Sequence, residues 1–135
     1  MRWLLWFVAG FLAVLSFHQP AVALLHGAGV IPFTAFSFGR TAPFGVPAVF
    51  SAAFFGGLWA ILMFHLLART GSGWMWLKVL LFGGIAPTLV ALFVVFPLKG
   101  HGLNLAQFPM RFAIGFVLNA LWGIGALVFV RVLPR

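Results

Sequence analysis

Four long apolar runs, separated by short clusters rich in Gly, Pro, Ser, His and basic residues, organise the sequence. They extend roughly over Trp3 to Ala23, Val46 to Ala68, Trp74 to Pro97 and Phe108 to Leu133. A helix of about 20 apolar residues covers the hydrocarbon core of a bilayer. Backbone polar groups cannot stay unpaired in lipid, so each run is predicted to be helical. None shows the alternation of apolar and polar positions that a barrel strand needs. The expected fold is all-α: an integral membrane four-helix bundle forming one transmembrane domain over residues 1–135. The first run also resembles a secretory signal, with Arg2, an apolar stretch to Phe17 and the triplet Ala21-Val22-Ala23; we read it as the first helix.

The connections differ in character. Gly27 to Gly45 is long and broken by Pro32 and Pro43, yet carries Phe33, Phe36, Phe38 and Phe44. Four phenylalanines do not suit a fully hydrated loop. The segment is expected on the membrane surface, folded partly back into the bundle, or covering a partner subunit. Leu98 to Gln107 is short and polar by comparison.

Composition sharpens this picture. Only 6% of residues are charged, against about 25% in soluble domains. All eight charged residues are Lys or Arg, and there is no Asp, Glu, Cys or Tyr. That inventory excludes paired-carboxylate catalysis, an Asp-oriented triad, a carboxylate cation cage and thiolate metal sites. The cations sit singly between apolar runs, so anionic lipid headgroups rather than nucleic acid are the expected partners. Arg2, Arg69, Lys78, Arg131 and Arg135 fall at one side and Arg40, Lys99 and Arg111 at the other. This excess predicts a cytoplasmic N-terminus and C-terminus.

The two halves are similar in plan. Trp3-Leu4 opens one and Trp76-Leu77 the other; Phe50…Leu58-Trp59…Arg69 matches Phe112…Leu121-Trp122…Arg131 within a residue of spacing. Two parallel-repeat helical hairpins are one reading; recurrence of Phe, Leu and Trp in any apolar helix is the other. Ala52, Gly56 and Ala60 form a small-residue stripe on the second run, and Gly115 and Gly123 form one on the fourth, as helix packing in lipid requires. Pro87, after Gly83-Gly84, is expected to kink the third run, with Thr88 serving a freed backbone group. Thr88 and Asn119 are polar candidates near mid-membrane, either as interhelical hydrogen-bonding partners or as the lining of a polar path.

Candidate ligand or metal residues are His18, His26, His101 and Arg111, all expected at the outer face. Three imidazoles would suit zinc or copper, and two would suit haem. The tight spacing typical of metal motifs is absent, however, and no cofactor is predicted. Arg111 is explained by snorkelling to phosphate, with an anionic ligand as its alternative.

Thr41-Ala42-Pro43-Phe44-Gly45-Val46-Pro47, Phe55-Gly56-Gly57-Leu58-Trp59 and Phe17-His18-Gln19-Pro20 together resemble uncharacterised small four-span bacterial inner-membrane proteins. The resemblance implies a bacterial inner-membrane location and no activity. Small multidrug exporters are excluded because the membrane-embedded Glu is missing, and dual-topology fluoride channels share only the size. The expected function is a non-catalytic accessory or scaffolding subunit of a larger membrane complex, in contact with other subunits or with copies of itself. Alternatives are an oligomeric channel or carrier for an anion or small neutral solute, and a haem-, metal- or quinone-binding redox subunit.

Overall fold

The structure, a computed structural model, describes residues 2–41, 44–100 and 105–134. Four helices dominate: α1 (Arg2–Gly27), α2 (Ala48–Thr70), α3 (Met75–Leu98) and α4 (Leu105–Val132), each long and apolar enough to cross a membrane. The expected boundaries shift by a few residues. The largest shift is in α1, which continues four residues beyond Ala23 and carries Pro20 within it.

Pro20 is accommodated by a change of ladder register. A proline has no N–H and crowds the carbonyl four residues back. Just before it, Val14–His18 winds as a π-helical turn, and the Gln19 N–H reaches the Val14 carbonyl five residues away. α3 repeats the device. Ala91–Val95 is π-helical ahead of Pro97, and the Phe96 N–H bonds the Ala91 carbonyl. Met75–Val90 stays α-helical through Pro87, and a π-helical turn at Ala91–Val95 follows it.

α3 packs extensively along α4, and α1 packs extensively along both α4 and α2; α2 and α3 meet only lightly. Glycines set the two hairpin seams. A Cβ at Gly10 of α1 would collide with the Gly56 carbonyl and lie 2.5 Å from the Ala60 Cβ of α2. In the second hairpin a Cβ at Gly123 of α4 would collide with the Val79 carbonyl of α3, while one at Gly83 would stand 2.7 Å from the Asn119 carbonyl. The shared core comprises Trp6, Ala13 and Val14 of α1, Met63 and Phe64 of α2, Val79 of α3, and Trp122 and Leu127 of α4. Trp122 is the keystone of the α1–α4 seam. Its indole is 3% exposed and donates to the Gly10 carbonyl at 3.1 Å, lying against Gly56.

The long connection is ordered where described, and it adds a feature that an all-α reading lacks. Strands β1 (Arg40–Thr41) and β2 (Val46–Pro47) pair antiparallel, Arg40 opposite Pro47 and Thr41 opposite Val46. Gly45 takes φ 71°, a left-handed conformation suited to glycine. Carbonyls of Ser37 and Gly39 accept from the N–H groups of Val49 and Ala48, so the loop caps the first turn of α2. Ile31 tucks in at 5% exposure beside Ala21, Val22 and Leu118.

Candidate functional site

Thr88 and Asn119 meet across the α3–α4 seam. Asn119 Nδ2 donates to Thr88 Oγ1 at 2.9 Å, and Thr88 is 1% exposed. Gly115 makes room for this: a Cβ there would stand 2.7 Å from the Thr88 methyl. The Thr88 hydroxyl therefore serves a neighbouring helix rather than the backbone around Pro87. The small residues singled out from sequence line the hairpin seams. Gly56 and Ala60 face Gly10, Ala52 is half-buried against the core, and Gly123 faces Val79 and Gly83.

A second polar cluster lies where α1 meets the long connection. Gln19, 8% exposed, accepts the Phe36 N–H on Oε1 at 2.7 Å. Phe36 sits at φ 52°, unusual for a non-glycine residue, and this bond helps hold it there. Because Oε1 faces an N–H donor, Nε2 must point the other way, where it lies 3.3 Å from His18 Nδ1. The amide donates, so in the neutral ring His18 carries its proton on Nε2. His26 Nδ1 donates to the Ile31 carbonyl at 3.1 Å, which tethers the start of the loop.

The predicted ligand set is thus partly dispersed. His18 and His26 each bind local groups and not one another. His101 lies outside the described residues, as do Ala42 and Pro43 of the quoted motif. Among the described residues, no three metal-ligating side chains gather. Arg111 is half-buried near the start of α4 and makes no hydrogen bond to another described residue. Gln19 is the polar residue that sequence reasoning passed over. An amide inside an apolar run, just ahead of a proline, was the available signal.

The opposite end, which holds both chain ends, is rich in basic and aromatic pairs. Lys78 Nζ donates to the Thr70 carbonyl at 3.0 Å, to Thr70 Oγ1 at 2.9 Å and to the Gly71 carbonyl at 3.1 Å, closing the α2–α3 turn. Trp3 stacks on His65 at 5.3 Å, and Arg69 donates to His65 Nε2 at 3.1 Å. Arg131 lies 4.7 Å above the Trp76 ring. Arg2 lies 5.5 Å from the Trp6 ring, at the mouth of an open groove of about 580 Å³ between α1 and α4. Leu5 and Val8 line one side of it and Val130 and Leu133 the other.

Chemically, the arrangement holds helices together and positions cations at their ends. Comparison of the chain with protein-family models, with curated proteins and with solved structures finds no match.

Proposed function

We propose that this chain is a multi-pass protein of the bacterial inner membrane, with both termini cytoplasmic, acting as a non-catalytic accessory or scaffolding subunit of a larger membrane complex. The observation that carries the reading is the aromatic surface of the long connection. Phe33, Phe38 and Phe44 are 54%, 68% and 88% exposed on a segment that Gln19, His26 and the β1–β2 pair hold in place. Ordered, outward apolar side chains of this kind mark sites of interaction. Support also comes from the polar groups inside the bundle. Thr88 and Asn119 bond each other, and the Trp122 indole bonds Gly10, which is the work of interhelical packing rather than of a conducting path.

An internal duplication accounts for the shared plan of the hairpins. In each, a tryptophan at the start of the first helix meets a basic residue of the second: Trp3 with His65, and Trp76 with Arg131. A glycine seven residues on, Gly10 or Gly83, marks the close approach, and a π turn precedes a proline.

Gentle detergent extraction followed by native mass spectrometry tests the subunit role. A species heavier than the chain, reduced to the free chain by Phe38→Ser with Phe44→Ser, is the expected result. A lone monomer under the mildest extraction overturns it.

A further inference from the structure

We infer that the groove between the first turns of α1 and the last turns of α4 binds one phospholipid with an anionic headgroup, its phosphate on Arg2 and an acyl chain along the apolar wall. The groove is open and has a volume of about 580 Å³. Its walls come from Leu5 and Val8 of α1, Val130 of α4 and Leu133 just beyond it, with the Trp6 ring beside them. Among the described residues that line it, the one cation is Arg2, exposed and held near the Trp6 ring at 5.5 Å. A ring contact fixes the guanidinium while leaving its N–H groups unspent, and Arg2 bonds no other described residue.

No acidic side chain stands among the described residues to pair with Arg2. An arginine continuous with an aliphatic channel matches a molecule that is anionic at one end and aliphatic beyond it. Placement argues for the same source. The groove lies at the ends of two helices long enough to cross a bilayer, where headgroups meet the hydrocarbon boundary. Free phosphate would use the guanidinium and leave the apolar wall unfilled. Arg131 supplies an internal comparison, since it lies at the same end but over Trp76 and away from the lining of the groove.

This site depends on the chain spanning a membrane and not on its having partner subunits. It is tested on the purified chain in detergent, titrated with phosphatidylglycerol or phosphatidylcholine of identical acyl chains and read by native mass spectrometry. The unaltered protein is expected to retain one phosphatidylglycerol with about fivefold preference, the effect of roughly one arginine near an anionic surface. Arg2→Gln should bring the two lipids to parity, whereas Arg131→Gln should leave the preference intact. Val130→Trp, which fills the groove, should lower retention of both. Equal retention by the unaltered protein overturns the proposal, as does an equal loss in Arg131→Gln. Displacement of phosphatidylglycerol by millimolar inorganic phosphate also overturns it, by showing a simple anion site. Loss of the monomer–partner complex described above would leave these outcomes unchanged.

Discussion

Gly10→Ala adds one methyl group at the point where α1 and α2 come closest. In an ordinary helix this change is favourable by about 1 kcal/mol, because alanine is the better helix former. Here the new Cβ would run into the Gly56 carbonyl, with the Gly56 carbonyl carbon at 3.0 Å and the Ala60 Cβ at 2.5 Å. Carbon atoms rest at about 3.5–4.0 Å, so the deficit toward Ala60 is about 1 Å or more. Two of the three obstructing atoms are backbone and cannot rotate away. The helices must part, and a gap of about 0.5–1 Å forfeits a quarter to a half of each contact along the seam. Separation also stretches the bond from the Trp122 indole to the Gly10 carbonyl, now 3.1 Å. Overpacking costs about 1–3 kcal/mol and the weakened interhelical bond about 0.6. Against the propensity gain, a net loss of about 1–2 kcal/mol is expected. Equilibrium unfolding in mixed micelles, following near-ultraviolet circular dichroism, measures it. Gly27→Ala is the control, since nothing lies within 4 Å of a Cβ there, and it should be neutral or slightly stabilising. If Gly10→Ala proves as stable as Gly27→Ala, the seam does not depend on that contact and the packing argument fails.

Gly123→Ala should lose a similar amount in the second hairpin, because the Val79 carbonyl obstructs it as Gly56 obstructs Gly10; thermal unfolding of the single and double variants checks that the two losses add. Asn119→Leu removes the donor to Thr88, whose hydroxyl can turn to its own backbone, so a loss of about 0.5–1 kcal/mol is expected in the same unfolding assay. Gln19→Ala removes the acceptor of the Phe36 N–H and should expose residues 30–39 to limited proteolysis with little change in helicity; an unchanged digestion pattern refutes the tether. Trp122→Ala should cost roughly 2–4 kcal/mol and Trp59→Ala about 1, as judged by thermal aggregation onset in detergent, because only the first indole is enclosed and hydrogen-bonded.

The four helices could be read from the chain because apolar runs of this length admit few other conformations once water is excluded. The small-residue stripes were equally legible. Gly56 and Ala60 recur at four-residue spacing, and the structure puts them against Gly10. What escaped was the behaviour of the prolines. Pro20, Pro87 and Pro97 all lack an N–H, yet Pro20 and Pro97 follow π turns while Pro87 sits in α-helix. Proline spacing alone does not tell the two arrangements apart. The long connection was legible only as apolar and irregular. Its short β pair and its tie to Gln19 join residues 17 positions apart or closer in ways no periodic pattern announces. Of the candidate site residues, Thr88 and Asn119 were recognisable as polar groups in apolar runs, but their pairing depends on the register of α3 against α4.

The environments of Trp59 and Trp122 explain how two similar hairpins give an uneven bundle. The residues occupy matching positions in α2 and α4, each preceded by leucine. Trp122 points into the α1 seam, where Gly10 and Gly56 leave space for an indole and a carbonyl receives its N–H. The corresponding seam for Trp59 is the one with α3. There the neighbour is a side chain, Phe82, met edge-on at 6.3 Å, and the indole stays half-exposed. The counterpart of Gly10 in α3, Gly83, faces α4 instead. α1 and α4 therefore form the tightly joined centre, with α2 and α3 flanking it and touching little. The bundle's asymmetry is visible in what each indole meets: Gly10 and Gly56 at Trp122, Phe82 at Trp59. Sequence similarity between the halves thus coexists with a one-sided structure.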